Sequence, residues 1–147
     1  MRTVKSLLAE KGYNIWFVTP DTLVFDALKV LADKDVGALL VKQEEKLVGI
    51  FSERDYTRKV ILKGKSSKET RVREIMSYQV IFGYPSQTIE QCLELMTEKH
   101  IRHLPILDDD QLLGILSMGD LVKAIIAEQK KLIGQLERYI LQYTSIT

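Results

Sequence analysis

A serine followed three residues later by an aspartate occurs twice in the chain, as Ser52 with Asp55 and as Ser117 with Asp120. Each pair follows an apolar run and precedes a stretch of helical periodicity, so a helix is predicted to begin near each serine. The free N–H groups at a helix N-terminus bind phosphate, and a neighbouring carboxylate can accept two hydrogen bonds from a ribose diol. The same spacing is that of a capping box, which only satisfies the first turn of the helix. Both interpretations fit the spacing.

A glycine precedes each serine by three residues, in Gly49–Ser52 and again in Gly114–Ser117. A capping box does not require glycine there, whereas a close approach of another group to the backbone does. The duplicated glycine therefore indicates that more than helix capping constrains these two segments.

The two motifs belong to an internal repeat. Sliding the sequence by 65 positions aligns Pro20 with Pro85 and continues without a gap to Ile126. A shorter match, offset by 68 positions, precedes each copy and aligns residues 3–8 with 71–76. A repeat of this length indicates one supersecondary unit used twice.

These matches divide the chain into three parts. Residues 1–70 form the first repeat with its lead-in and a basic linker, 71–127 form the second repeat, and 128–147 form a C-terminal helical extension. The linker carries seven basic residues and the single acid Glu69 between positions 58 and 73, without interleaved aromatic residues. We therefore predict a solvated connection rather than a nucleic-acid patch.

Each repeat has the hydrophobic pattern of a β-α-β-β-α unit, which predicts an α+β fold with an added C-terminal helix. The first helix of each unit is predicted to start after Asp21 or Ser86, whose side chains can cap it. The other predicted elements are strands near 16–18 and 80–82, hairpins of 38–41 with 47–51 and of 104–107 with 112–116, and second helices at 54–62 and 120–127.

Composition excludes several classes of protein. The 147 residues include 21 basic and 20 acidic side chains, a balance that argues against a nucleic-acid binder driven by bulk charge. An apolar fraction of 46% without a run of about 20 apolar residues predicts a globular protein that does not span a membrane. The amphipathic pattern after Met1 is not that of a signal peptide, so we expect a cytoplasmic location.

Metal binding and catalysis have little support in the sequence. Cys92 is the only cysteine, which excludes an internal disulfide and a cysteine-based metal cage. His100 and His103 are the only histidines, and they straddle a predicted junction between helix and strand. Neither histidine has a recognisable nucleophile–base arrangement with a serine. We expect no metal site and no enzymatic activity.

The duplicated Gly-Ile-x-Ser-x-x-Asp motif resembles that of the cystathionine β-synthase (CBS) domain pair, or Bateman module. The likeness extends to Arg102–Ile106 in the second hairpin and to Val72–Met76 before the second unit, and it covers nearly the whole chain. It implies two repeats related by pseudo-twofold symmetry. It also implies a regulatory module that binds AMP, ADP, ATP, NAD(H) or S-adenosylmethionine in two clefts between the repeats, with AMP favoured.

The resemblance also implies roles for particular residues. Asp55 and Asp120 would bind ribose hydroxyls, and Ser52 and Ser117 would lie near phosphate. The other ligand-binding residues implied are Arg102 and His103 for phosphate charge, Pro105 in the same hairpin, Arg54 and Arg58 in the first repeat, and Val18, Thr19, Pro20, Gly83, Tyr84 and Pro85 around the adenine.

One departure between the two repeats matters for phosphate binding, because the first has Gly37-Ala38 where the second has Arg102-His103. A charge-assisted hydrogen bond to phosphate contributes roughly 1.5–3 kcal/mol, so the two sites are expected to be unequal. Sequence does not determine which aspartate Arg102 serves.

We expect a stand-alone sensor that acts on a partner protein. The alternative is a structural or scaffolding subunit whose Ser-x-x-Asp motifs are only helix caps. Beyond the second repeat, an apolar stripe at helical spacing predicts at least a dimer; its residues are Leu132, Leu136, Tyr139, Ile140 and Tyr143.

Overall fold

The structure, a computed structural model, describes residues 2–145 and has the predicted α+β composition. In chain order its elements are α1 (Val4–Lys11), β1 (Phe17–Val18), α2 (Val24–Lys34), β2 (Ala38–Gln43), β3 (Lys46–Ser52), α3 (Glu53–Tyr56), a π-helix (Thr57–Ile61), α4 (Val72–Ile75), α5 (Ile89–Lys99), β4 (His103–Asp108), β5 (Gln111–Ser117) and α6 (Met118–Ser145). Two compact units result, one of residues 14–81 and the other of residues 2–13 with 82–145. The predicted tandem repeats and C-terminal helix are confirmed.

The unit of residues 14–81 is built on a three-stranded sheet in the order β1-β2-β3, with β1 parallel and β3 antiparallel to β2. The inward sides of β2 and β3 supply Leu39, Val41 and Phe51 to its core, all completely buried. Helix α4 adds Val72 and Ile75 to the same cluster. The segment that precedes the second sequence repeat is therefore part of the core beneath the first.

The unit of residues 2–13 and 82–145 contains the antiparallel pair β4–β5. The strand predicted near residues 80–82 is wrong, since this part of the chain forms only one parallel bridge, between Gly83 and Ile106. At that bridge the N–H of Gly83 donates to the Pro105 carbonyl at 2.9 Å, and the Gly83 carbonyl accepts from Leu107 at 2.9 Å. Glycine favours strand structure weakly, in keeping with a single bridge.

Both predicted hairpins are confirmed, and each is longer than its apolar run. The polar flanking residues also pair, Gln43 with Lys46 and Asp108 with Gln111. In the second hairpin the two turn residues, Asp109 and Asp110, have positive φ values of 49° and 65°. Two consecutive positive φ values are those of the tight turn that matches the twist of a hairpin.

The predicted caps of the first helices are wrong. Helix α5 is capped by Thr88, whose side chain accepts from the N–H of Gln91 at 3.1 Å, and not by Ser86. Helix α2 begins after Leu23 without any side-chain cap. Its first N–H groups, of Val24 and Phe25, donate instead to carbonyls of the basic linker, Thr70 at 2.8 Å and Ser67 at 2.9 Å. The linker is therefore the cap of α2, and Asp21 is not.

The second helix of each repeat also departs from its predicted form. The helix predicted at 54–62 is a four-residue α-helix followed by a π-helix, and α6 runs without a break through the predicted boundary at residue 127. Within residues 2–145 no helix combines the length and the apolar character needed to cross a membrane.

Each glycine of the duplicated motif lies against the segment that leads into the other repeat. A Cβ at Gly49 would lie 2.8 Å from Sδ of Met76 and 2.9 Å from the carbonyl oxygen of Ser77, directly after α4. A Cβ at Gly114 would lie 2.9 Å from Cδ2 of Leu8 in α1. Both distances are shorter than van der Waals contact allows. The close approach inferred from sequence is therefore one of the protein to itself.

Alanine at Gly49 is expected to lower the free energy of unfolding by about 1–3 kcal/mol, because a backbone carbonyl cannot rotate away from the new methyl group. The loss for Gly114→Ala should be smaller, since the end of a leucine side chain can shift. Gly119→Ala is the control, because its Cβ would lie 3.6 Å from the nearest atom, Oγ of Ser117. Urea denaturation measures all three, and equal losses for Gly49→Ala and Gly119→Ala would contradict the packing argument.

Candidate functional site

The first serine–aspartate pair lies where β3 passes into α3. The Ser52 hydroxyl oxygen accepts from the Asp55 N–H at 3.2 Å, and Oδ2 of Asp55 accepts from the Ser52 N–H at 3.0 Å. The Ser52 hydroxyl also donates to that Oδ2 at 3.0 Å. This is a complete capping box, so the structural interpretation of the motif is realised here.

The second pair repeats this geometry where β5 passes into α6. The Asp120 N–H donates to Oγ of Ser117 at 3.0 Å, and Oδ2 of Asp120 accepts from the Ser117 N–H at 2.8 Å. A capping box uses one oxygen of the carboxylate, so it leaves the other oxygen to different partners. Capping and ligand binding are compatible at both positions.

Two lysines that sequence analysis missed contact the carboxylates. Nζ of Lys59 lies 3.1 Å from Oδ1 of Asp55, and Nζ of Lys11 lies 2.6 Å from Oδ2 of Asp120. Each ammonium also donates to a backbone carbonyl: Lys59 to Ile75 at 2.9 Å, and Lys11 to Ile115 at 2.8 Å. The spacing of Lys59, four residues after Asp55, is a recognisable pairing signal. Lys11 has no such signal, since it is 109 residues from its partner.

The carboxyl group of Asp120 has an altered pKa. Burial acts to raise this pKa, but the hydrogen bonds from Lys11 and from the Ser117 N–H, with the charge of Lys11, outweigh burial and hold the pKa below its usual value of 3.8. Asp120 is therefore a carboxylate at neutral pH. A carboxylate in this state only accepts hydrogen bonds, which suits it to hydroxyl donors.

The two carboxylates differ in how many acceptor positions they have left. A carboxylate offers about four such positions. Asp55 uses two on Oδ2, and its Oδ1 contacts Lys59. Asp120 uses two on Oδ2, and within residues 2–145 nothing donates to its Oδ1. The second site therefore has a whole carboxylate oxygen available.

Arg102 and His103 lie beside the second pair. His103 is directly opposite Ser117 in the β4–β5 register, and the Arg102 carbonyl accepts from the N–H of Met118 at 2.8 Å. The structure thus brings Arg102, His103, Ser117 and Asp120 to one end of this hairpin. In the other unit the carbonyl of Gly37 accepts from the N–H of Glu53 at 3.1 Å in the same way. Gly37 and Arg102 are equivalent positions, as the repeat predicts.

The other ligand-binding residues expected from the sequence lie in both units. Val18 and Pro20 are buried near the start of the first unit, and the Thr19 N–H donates to Oγ1 of Thr22 at 3.1 Å. Arg54 is partly buried in α3, whereas Arg58 is exposed in the π-helix. In the other unit Gly83 and Pro105 are buried and hydrogen-bonded to each other, Tyr84 is exposed, and Pro85 is partly buried.

Metal and thiol chemistry find no support in the described part of the chain. No cluster of three or more metal-ligating side chains occurs among residues 2–145. Cys92 is completely buried in α5, and burial raises the pKa of its thiol to about 11. A thiol with this pKa is protonated at neutral pH and is not a nucleophile.

Comparison with known proteins gives consistent likenesses. The profile of the family described as CBS domain matches residues 4–61 and 72–127. The CBS domain-containing protein CBSX3, mitochondrial, of Arabidopsis thaliana is 36% identical over 148 residues, which cover 94% of this chain and 71% of that protein.

Two solved structures are similar in fold. A protein with CBS domains from Burkholderia ambifaria MC40-6 has a TM-score of 0.83 and 48% identity, covering 86% of this chain and 96% of its own. The CBS domain pair of protein MJ0100, in complex with 5'-methylthioadenosine and S-adenosyl-L-methionine, has a TM-score of 0.75 over 87% of this chain and 98% of its own. At 22% identity this second likeness is one of fold alone.

Replacing Lys11 with methionine should raise the pKa of Asp120, because burial then acts without the opposing ammonium group. A lowered native pKa stabilises the fold above the unfolded-state pKa, and that stabilisation is lost as pH falls through the native value. The stability difference between wild type and Lys11→Met should therefore be present at pH 7 and shrink below about pH 4. An NMR titration of the Asp120 carboxyl carbon measures the shift. Lys5→Met, exposed on the same helix, is the control, and an unchanged Asp120 pKa in Lys11→Met would refute this account.

Proposed function

Because the chain belongs to the CBS domain family, as a tandem pair with a regulatory, signal-transduction role, we propose that it senses the energy state of the cell by binding an adenine nucleotide. AMP is the favoured ligand, and ADP, ATP and NAD(H) share the group that would be recognised. The complex of the MJ0100 domain pair supports this proposal, since both of its ligands contain adenosine. The proposed role involves no chemical transformation of the ligand.

The observation that carries the proposal is the unused oxygen of Asp120. Its Oδ2 is occupied by the cap and by Lys11, so Oδ1 is available to the two hydroxyls of a ribose. Side-chain exposure of 22% leaves this carboxylate within reach of a ligand. The lowered pKa of Asp120 supports the proposal as well, because only the ionised form accepts both hydroxyls.

We propose further that the two sites are unequal. Arg102 and His103 lie beside Ser117, where they can meet a phosphate, whereas the first unit has Gly37 and Ala38 at the equivalent positions. Asp55 has Lys59 on the oxygen that Asp120 leaves open, so a ribose there must compete with an ammonium group. Arg54 and Arg58 are the phosphate contacts proposed for the first site.

The proposal also includes the oligomeric state of the protein and its location in the cell. We propose a homodimer that acts on a separate protein partner, and the cytoplasmic location stays a prediction from the sequence. The exposed apolar side chains of α6 support association, since the residues from Leu132 to Tyr143 on one face are more than half exposed. The scaffolding alternative differs in one measurable respect, because it requires no ligand.

Thermal unfolding with AMP, ADP, ATP, NAD⁺ and NADH tests the ligand. A nucleotide at 100 times its dissociation constant should stabilise the native state by about 2.7 kcal/mol. Asp120→Asn, which retains a capping oxygen, should lose most of this shift, and the double variant with Asp55→Asn should lose all of it. Thr88→Ala removes the cap of α5, so it should lower stability while leaving the ligand shift unchanged. The scaffolding alternative is favoured if none of the nucleotides shifts the wild type.

Calorimetry on Arg102→Ala tests the inequality of the sites. Wild type should bind AMP at two sites of different affinity, and the variant should bind at the tighter site at least about tenfold more weakly, since it loses a charge-assisted hydrogen bond. Adenosine, which lacks the phosphate, should bind both proteins equally. Lys99→Ala, exposed at the end of α5, is the control. Equal weakening at both sites, or none, would contradict the assignment of Arg102 to one site.

A further inference from the structure

The C-terminal half of α6 carries apolar residues that do not pack into the core of its unit. Leu121 and Ala124, in its first turns, are buried in the unit of residues 2–13 and 82–145. From residue 129 to residue 144 no described side chain is buried. In proteins most of the stability of a helix comes from packing of its apolar face, and this half of α6 lacks that packing within residues 2–145.

The apolar residues of α6 follow a seven-residue repeat in which positions a, d and e are apolar. Position a is held by Val122, Gln129, Leu136 and Tyr143, position d by Ile125, Leu132 and Tyr139, and position e by Ile126, Ile133 and Ile140. From Leu132 to Tyr143 these side chains are 53% to 65% exposed. Isoleucine at every position e makes the stripe wider on one flank than on the other, where position g is polar.

We propose that this stripe is an interface between two copies of the chain, which pair their α6 helices in antiparallel orientation about a twofold axis near Ile133. The proposal rests on the proposed homodimer and deepens it by naming its interface, and it requires no ligand. A parallel pair would place each isoleucine at position e against the polar position g of the other helix. An antiparallel pair places e against e and g against g, so the isoleucines contact one another.

The register follows from matching a with d across the axis. Leu132 then faces Leu136 of the second copy, and Ile133 faces its own equivalent. Ile126 faces Ile140 in the same register, and the two glutamines at position 135 lie together on the polar flank. Apart from Tyr139, each apolar residue of the stripe between residues 125 and 143 thus faces an apolar or aromatic residue.

The one polar residue of the stripe also fits this register. Gln129 at position a faces Tyr139 of the second copy, whose hydroxyl can bond with the glutamine amide. A single polar residue at such a position typically fixes register and orientation. Tyr139 is already held by Tyr143, with ring centroids 5.4 Å apart, so its orientation is partly set before association.

Charge supports the same orientation. Lys130 and Glu137 lie at position b, outside the isoleucine flank, seven residues apart on either side of the axis. In the antiparallel register Lys130 faces Glu137 of the second copy, and the symmetry generates this pair twice. In a parallel register position b lies on the side of position c of the second copy, so Lys130 does not meet Glu137.

Adjacent residues of α6 give a matched test of the surface. Ile140→Glu changes the stripe, whereas Leu141→Glu makes the same change at an apolar residue that is 66% exposed but lies off the stripe. Sedimentation velocity from about 1 to 100 μM should find wild type and Leu141→Glu dimeric. Ile140→Glu should dimerise more than about a hundredfold more weakly, because both copies lose an apolar contact. Circular dichroism checks that the variants stay folded.

Cysteine crosslinking tests the orientation. Under mild oxidation Ile133→Cys should form a disulfide-linked dimer, because this residue lies at the axis. Leu136→Cys should not, because position a meets its own equivalent only in a parallel pair. The native thiol of Cys92 is buried, so wild type is the uncrosslinked control.

Three results would overturn the proposal. They are a monomeric wild type across the concentration range, equal weakening by Ile140→Glu and Leu141→Glu, and crosslinking of Leu136→Cys in preference to Ile133→Cys. None of these measurements includes a nucleotide, so failure here and failure of the proposed ligand binding are separate outcomes.

Discussion

The absence of a side chain at one position of each hairpin is the constraint on which both units depend. At Gly49 and Gly114 the strand backbone accepts another segment at a distance that no Cβ would permit. The segments that use this space are the short lead-ins, α4 over the first hairpin and α1 over the second. Their approach also brings the Ile75 carbonyl to Lys59, and Lys11 to Asp120. The approach of α4 and α1 to these glycines thus determines both the packing of each core and the charges beside each aspartate.

Much of the fold was predictable because it rests on local patterns used twice. The hairpins, the amphipathic helices and the α+β class follow from apolar periodicity, and the 65-residue repeat fixes their order. The position of α1 was not predictable. Repeat matching assigns α1 to the first repeat, whereas in the structure it packs in the unit that contains the second repeat. The wrong cap of α2 has a similar cause: its donors find linker carbonyls distant in sequence.

The candidate site was also predictable only in part. Ser52, Asp55, Ser117 and Asp120 were identifiable from spacing alone, and their hydrogen bonds are those of the capping interpretation. Because the cap occupies Oδ2, ligand binding depends on Oδ1 of each aspartate, and the surroundings of Oδ1 are set by tertiary contacts. Lys11 determines those surroundings at Asp120 and carries no local signal. The π-helix that places Lys59 is likewise invisible to a pattern of helical periodicity.

The two lead-in segments also order events during synthesis of the chain. Helix α2 is synthesised before the residues that complete its surroundings. Its first N–H groups lack partners until Ser67 and Thr70 are made, and the core against which it packs is incomplete until Val72 and Ile75 are made. At about 5–20 residues per second this delay lasts seconds. Helix α1 waits longer still, because Gly114 is made more than a hundred residues after Leu8. Although α1 is synthesised before the rest of its unit, it is thus among the last helices to pack, and until then its apolar side is exposed.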